Sequence, residues 1–240
     1  EVSADLRQRQ QQLLARFAPR VEWLDRLPAS FSGLIVGNEV LDAMPVDLVA
    51  WGEGSLFERG VSMEGGEFSW SDRALTAGEL FDIAASLAPA LALPRDAGEG
   101  GNYVSEIGLA ARGFAATLAG VLEKGAILML DYGFGQSEYY HPQRSAGTLM
   151  CHYRHYAHDD PFYLPGLQDI TAHVDFSAIA ETGVAHGLDL LGYTSQAHFL
   201  LNSGITDLLA LASPEQASAY LPIAAQAQKL LSPAEMGELF

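Results

Sequence analysis

The sequence predicts an α/β domain built on a parallel sheet. Three observations carry this prediction: short apolar runs, amphipathic helical segments that alternate with them, and polar side chains placed directly after the runs. The run Leu34 to Val36 is the plainest case. It leads into three polar residues, Asn38, Glu39 and Asp42. Because the ligand crevice of an open parallel sheet lies beyond the carboxyl ends of its strands, these residues are expected to line a site.

The first elements alternate as such a sheet requires. Ser3 suits the N-cap of a helix that ends before Pro19. Its apolar face comprises Leu6, Leu13, Leu14 and Phe17. A short strand is predicted at Val21 to Leu24, ahead of the strand at Leu34 to Val36.

Residues 46 to 100 have a different character and are predicted to form a β-rich insertion that covers the substrate. Short β-like runs are separated by glycines at Val46 to Trp51, Ser55 to Met63 and Glu67 to Trp70. This spacing predicts an inserted β-meander. A helix over Ala77 to Leu91 and a glycine-rich loop at Gly98 to Gly101 complete the insertion.

The chain then returns to the α/β pattern. A helix from Ile107, with Gly125 as its C-cap, precedes an apolar strand at Ala126 to Leu130. That strand delivers Asp131-Tyr132-Gly133 to the crevice. A later helix and a helical tail are marked by Asp175 as cap, Gly187 as stop, and breaks at Pro214, Pro222 and Pro233. Residues 1–240 are therefore interpreted as one domain.

The charge balance indicates the class of partner. The formal net charge is −17, from 30 acidic and 13 basic residues among 240. Such a chain repels a phosphate backbone and has few cations to replace its counterions, so nucleic acid is not an expected partner. The same field attracts a cationic ligand or a basic protein segment.

The single Cys151 excludes a disulfide within the chain and fits a reducing compartment. No apolar run approaches the roughly 20 residues that span a bilayer. We therefore expect no membrane insertion and a cytoplasmic protein.

Two functional candidates each have a structural alternative. Asn38, Glu39 and Asp42 suit a site beyond a central strand, but Asn and Asp also bind backbone amides in turns. Glu106 is a candidate third acid of the same crevice, or simply a first-turn carboxylate that complements a helix dipole. The types of residue alone leave both alternatives open.

A group of histidines suggests a metal site, but its spacing does not fit one. If the segment is a strand, His152 and His155 face opposite sides of it. If it is a helix, these two share a face but His158 lies off that face. We therefore predict no metal here and interpret His155 as a substrate-facing loop residue. A metallohydrolase centred on these histidines is kept as a further hypothesis.

Four motifs together resemble the MidA-like family of S-adenosylmethionine-dependent methyltransferases. They are the segments 38–46 (NEVLDAMPV), 130–133 (LDYG), 147–149 (GTL) and 165–176 (PGLQDITAHVDF). The resemblance runs nearly end to end. The mitochondrial members of that family are type II protein arginine methyltransferases that assist assembly of respiratory complex I.

The resemblance implies a Rossmann-like class I methyltransferase fold, with helices on both faces of its sheet, and S-adenosyl-L-methionine as cofactor. Glu1 would then end the second strand and hold the ribose hydroxyls. The first strand and its glycine-rich loop would precede Glu1 and are not in this chain. Leu24, Asp25 and Asn38 complete the expected cofactor residues.

An arginine in a protein acceptor is the substrate that the resemblance implies. Carboxylates can bind a guanidinium in a bidentate manner and aim one nitrogen at the methyl group. Glu39, with Asp42 or Glu106, is expected to do so, and Tyr132, Tyr139, Tyr140 and His155 are the expected walls of the site. The alternative is a non-catalytic assembly module that holds a basic peptide in an acidic crevice.

Overall fold

The computed structural model describes residues 3–52, 54–88, 103–154, 156–237 and 239–240. The helices are α1 Ala4–Leu14, α2 Glu79–Leu87, α3 Leu109–Val121, α4 Gln136–Tyr139, α5 Phe176–Ala185, α6 Gln196–Asn202, α7 Ile205–Ala210 and α8 Ala217–Leu231. The strands are β1 Phe31–Asn38, β2 Asp47–Gly52, β3 Ser55–Glu64, β4 Glu67–Ala74, β5 Tyr103–Ile107, β6 Leu122–Leu130, β7 Gly133–Phe134, β8 Met150–Tyr153, β9 Tyr156–His158, β10 Asp169–Thr171 and β11 Val174–Asp175.

The parallel pair β1 and β6 forms the part of the fold that positions the site. The register runs from Ser32 opposite Lys124 to Asn38 opposite Leu130, so both strands end at the same edge. A second parallel pair, β7 with β11, follows directly after β6. The predicted α/β class is confirmed.

Gly125 lies inside β6, so its assignment as a helix C-cap is wrong. It has a φ of +142° and faces Gly33, whose φ is +153°. A Cβ on Gly125 would lie 1.7 Å from the Gly33 carbonyl oxygen. This close approach of two backbones explains the glycine, since any side chain would separate the strands.

The predicted β-meander is confirmed and gains one strand. β2, β3 and β4 form antiparallel neighbours, and β5 pairs with the free edge of β2. Glu106 therefore lies on β5 opposite Leu48, and α3 begins only at Leu109. The interpretation of Glu106 as a first-turn helix residue is wrong. The predicted loop Gly98 to Gly101 lies outside the described residues, as does the end of the helix predicted to reach Leu91.

The strand predicted at Val21 to Leu24 is absent: these residues have no ladder partner within the described ranges. The segment lies along α1 instead. Arg7 donates a hydrogen bond to the Trp23 carbonyl at 3.2 Å, and the Trp23 indole donates to Gln10 at 3.1 Å. A strand requires a neighbouring strand to bind its backbone groups, and here α1 binds the Trp23 carbonyl instead.

Helix caps follow the sequence prediction. Ser3 accepts a hydrogen bond from the Leu6 amide at 3.3 Å, and Asp175 accepts one from Ala178 at 3.2 Å. The C-terminal region is helical as expected, although α8 continues through Pro222, where a break was predicted. Among the described residues, no helix has the length and apolar character to cross a membrane.

The larger core cluster lies between the meander, α2 and α4. Trp51 packs edge-on against Tyr103 at 5.9 Å, and its indole donates to the Ala84 carbonyl at 3.0 Å. Tyr139 and Tyr140 are 2% and 4% exposed within this cluster. Their prediction as crevice walls is therefore wrong, because they pack inside the protein.

Candidate active site

Residues 38–42 comprise the last residue of β1 and the turn after it, and we call this segment the acid loop. The Glu39 amide donates to the Leu130 carbonyl at 2.8 Å, which extends the β1–β6 ladder by one bond. Glu39 has a φ of +49°, in the left-handed region that non-glycine residues seldom adopt. This conformation turns the chain away from the strand direction. Asn38 and Glu39 are both exposed at the carboxyl edge.

Asp131 holds the acid loop in place. Its Oδ2 accepts hydrogen bonds from the amides of three successive loop residues, at 2.8 to 3.3 Å, namely Val40, Leu41 and Asp42. Its Oδ1 accepts from the Tyr132 amide at 2.9 Å. The side chain is buried, and burial raises the pKa of its carboxyl group while the bound amides oppose that rise.

The backbone of Asp131 is fixed as well. Its amide donates to the Phe240 carbonyl at 2.7 Å, and its carbonyl accepts from the Phe240 amide at 2.8 Å. Phe240 in turn stacks on Tyr193 at 5.0 Å. Asp131 is therefore constrained on both its side chain and its main chain, which gives the acid loop a rigid support.

Asp42 carries the clearest electrostatic signature of the loop. Burial, followed by the charges of Asp131 and Glu39, raises the pKa of its carboxyl group from 3.8 to about 6. The neighbouring Tyr132 has its phenol pKa raised by burial and by Glu39, Asp42 and Asp131. The structure thus brings together the predicted residues Asn38, Glu39, Asp42 and Tyr132. A carboxylate whose pKa is near neutral can accept a proton during a reaction.

Glu106 has a different environment. Its carboxylate accepts hydrogen bonds from the amides of Thr148 and Leu149, at 2.9 and 3.0 Å. The hydroxyl groups of Thr148 and Tyr139 also donate to it, at 3.1 and 3.3 Å. The residue is 1% exposed and borders an enclosed cavity of about 20 Å³. Such a cavity holds about one water molecule and cannot admit a guanidinium.

This geometry gives Glu106 a structural task. It anchors the loop 147–149, and Gly147 lies so near that a Cβ there would be 2.3 Å from Oε1. The predicted catalytic role of Glu106 stays a prediction. Its buried hydrogen bonds account for the residue without that role.

The other predicted cofactor residues are less informative. Glu1 lies outside the described residues. Leu24 is half exposed, and the Asp25 carboxylate forms an ion pair with Arg7, which lowers the pKa of that carboxyl group. Val21 to Leu24 is not a strand, so Leu24 and Asp25 do not follow a strand end. Their contact with a cofactor stays a prediction.

The histidine group is split across a hairpin. His152 lies on β8 and His158 on β9, where His158 pairs with Cys151 in the ladder. His155 lies outside the described residues, so its predicted substrate contact stays a prediction. No group of three His, Cys, Asp or Glu residues arranged to hold a metal occurs in the described part of the chain.

Sequence reasoning placed Asp131 at the crevice but gave it no role there. The signal was present, because Asp131 follows directly on an uninterrupted apolar strand and starts the LDYG motif. Its long-range bonds to residues 40–42 could not be found from spacing, since about 90 residues separate the partners.

Comparison with known proteins places this geometry in a family. Residues 1–194 match the family model described as "Putative S-adenosyl-L-methionine-dependent methyltransferase". No match is found among curated proteins.

Two crystal structures from Burkholderia thailandensis resemble the chain closely. A protein bound to S-adenosylhomocysteine is 54% identical and superposes with a TM-score of 0.89 over 99% of this chain and 60% of its own. The native structure of an uncharacterized protein is also 54% identical, with a TM-score of 0.87 over 99% and 62% of the two chains. The present chain thus spans about three fifths of their length. It belongs to the S-adenosyl-L-methionine-dependent methyltransferase family that the model describes.

Proposed function

We propose that the protein transfers a methyl group from S-adenosyl-L-methionine to an arginine of a protein acceptor. One observation carries the proposal. The acid loop presents the exposed Glu39, and Asp42 with a carboxyl pKa of about 6, at the edge where β1 and β6 both end. Family membership supports the methyl donor, and the carboxylates support a cationic acceptor.

The residues of this edge fit the cofactor. Asn38 offers an exposed amide that can bind the amino or carboxylate group of an amino acid. S-adenosyl-L-methionine, when bound, supplies a methyl group on a sulfonium. The acid loop adds negative charge on the same side of the sheet, which favours a cation.

Glu39 binds and orients the guanidinium. Two carboxylate oxygens match two guanidinium N–H groups, so the planar cation is fixed with one nitrogen facing the methyl carbon. That nitrogen forms the new N–C bond as the C–S bond breaks, and the sulfur keeps the electron pair. The enzyme mainly supplies proximity and electrostatic stabilisation.

Asp42 accepts the proton that the methylated nitrogen releases. Its raised pKa makes this carboxylate a stronger base than an ordinary aspartate, while it stays mostly ionised at pH 7. Asp131 has no direct part in the transfer. It holds the loop amides and so fixes both acids relative to the sheet.

The test uses full-length protein and labelled methyl donor. We expect saturable binding of S-adenosylhomocysteine in calorimetry and label transfer to arginine peptides but not to matched lysine peptides. Absence of binding heat contradicts the methyltransferase assignment, and transfer to lysine alone contradicts the arginine assignment. A non-catalytic module would bind a basic peptide equally with and without the nucleoside, and would transfer no label.

A further inference from the structure

A cleft of about 400 Å³ opens between the meander and the segment 161–172, and we call it the meander cleft. Its apolar walls include Val61 and Trp70 from β3 and β4, and Leu149 and Ile170 from the opposite side. Val61, Trp70 and Ile170 are 55%, 39% and 42% exposed. Volume and lining are typical of a ligand pocket, and the exposed apolar side chains indicate a binding surface.

Aromatic side chains join the two sides of the meander cleft. Phe162, beside the lining residue Pro161, packs on Trp70 at 4.8 Å and on Phe68 at 6.2 Å. These ring contacts join the segment 161–172 to β4.

The cleft adjoins the acid loop. The Ala172 amide donates to the Asp42 carbonyl at 3.0 Å, and Ala172 itself lines the cleft. Ala43 also lines it and directly follows Asp42 in the chain. A peptide whose arginine reaches the acid loop would therefore pass close to the cleft.

The charges at the cleft favour a basic peptide. Arg59 is neutralised by Asp72 through two hydrogen bonds of 2.8 Å, and Glu58 is paired with Arg73. Asp47 lines the cleft without a cation partner among the ion pairs of the described residues. Burial, followed by the charge of Glu58, raises the pKa of the Asp47 carboxyl group. A ligand cation beside Asp47 would relieve this repulsion.

We propose that the meander cleft holds a bulky apolar side chain of a basic acceptor segment, a few residues from the arginine bound by the acid loop. The inference rests on the proposed function and adds a sequence requirement to it. It makes the meander a specificity element, because the cleft selects what flanks the target arginine.

The probe is a set of seven-residue peptides with a central arginine, lysines for charge, and one leucine moved through the remaining positions. The matched control carries glycine instead of leucine. Binding to full-length protein is measured by fluorescence anisotropy. At one preferred position, leucine is expected to tighten binding by about ten- to a hundredfold, which is what burial of such a side chain contributes.

Two variants localise the effect. Val61→Trp fills the cleft and is expected to reduce the leucine preference to less than about threefold. Val184→Trp is the matched control, since Val184 lies on α5 with nearly the same exposure, 54% against 55% for Val61. As a second readout, the protein is labelled with 5-fluorotryptophan, and the ¹⁹F NMR signal of position 70 is assigned through Trp70→Phe. The chemical shift of this signal is expected to change on titration with the leucine peptide.

The outcomes separate the two proposals. A leucine preference that Val61→Trp removes supports the cleft, even if no methyl is transferred, in which case the arginine assignment fails alone. Methyl transfer without a leucine preference overturns the cleft while the function stands. No saturable peptide binding, or a preference that Val61→Trp leaves intact, also overturns the cleft.

Discussion

Two buried carboxylates in this protein each hold a loop, but only one of these two loops exposes an acidic side chain. Asp131 and Glu106 are each 1% exposed and each accept hydrogen bonds from successive backbone amides. The loop on Asp131 carries the exposed acid Glu39, whereas the loop on Glu106 presents no free acid. An acidic residue close to a strand end therefore does not mark a catalytic group by itself. Its partners decide whether it supports the site or acts in it.

Removal of Glu106 is expected to give the largest effect, and on stability. Glu106→Ala leaves the buried amide of Thr148 and the partly buried amide of Leu149 unpaired, at about 1–3 kcal/mol each. We expect the free energy of unfolding to fall by about 3 kcal/mol or more. Urea denaturation measures it. A loss below about 1 kcal/mol would show that water satisfies these amides in place of Glu106.

Asp131→Asn is expected to act on both stability and turnover. The amide replaces one of the two acceptor oxygens and removes the charge, so unfolding becomes easier by about 2 kcal/mol. The loosened acid loop should also lower methyl transfer more than cofactor affinity. Asp189→Asn, at an exposed position, is the control. Equal loss of transfer and of cofactor binding would argue against a positioning role.

The fold was predictable where local chemistry decides it. The predicted N-caps, Ser3 and Asp175, and the predicted strands of the meander are confirmed by the structure. The errors at Val21 to Leu24 and at Gly125 have one cause. A strand depends on a partner distant in sequence, and that partner decides whether an apolar run pairs or lies along a helix.

The residues of the site were also predictable where they are contiguous in sequence with a predicted strand. The polar end of β1 predicted Asn38, Glu39 and Asp42, because a strand and its flanking residues are contiguous in sequence. The role of Asp131 and the burial of Tyr139 and Tyr140 depend on packing between distant segments. Composition carries no information about such contacts.

Asp42→Asn is expected to give the smallest change in stability, and of opposite sign. The folded pKa of about 6 exceeds the usual 3.8, so the folded state binds a proton more tightly than the unfolded state. Stability associated with this group is therefore present below pH 4 and lost as the pH rises through 6. Because the group is partly solvated, the loss is about 1 kcal/mol.

Unfolding at pH 4 and pH 7 checks this expectation. The difference between the two pH values should shrink in Asp42→Asn, which should be more stable than wild type at pH 7 and slower in methyl transfer. An unchanged pH dependence would mean that the Asp42 carboxyl titrates normally.

The most direct measurement is single-turnover methyl transfer by full-length Glu39→Gln, beside a titration with S-adenosylhomocysteine. The amide keeps the shape and removes the charge. Charge-assisted hydrogen bonds contribute about 1.5–3 kcal/mol, which corresponds to about a ten- to hundredfold loss of rate, and misalignment of the nitrogen adds to it. We therefore predict a loss of about a hundredfold or more in transfer with cofactor affinity nearly unchanged.

Glu123→Gln is the matched control, because Glu123 is an exposed glutamate at the opposite end of β6. It should transfer methyl at the wild-type rate. Wild-type turnover in Glu39→Gln, with only a slight loss of stability, would reduce Glu39 to a turn residue and contradict the catalytic role of the acid loop.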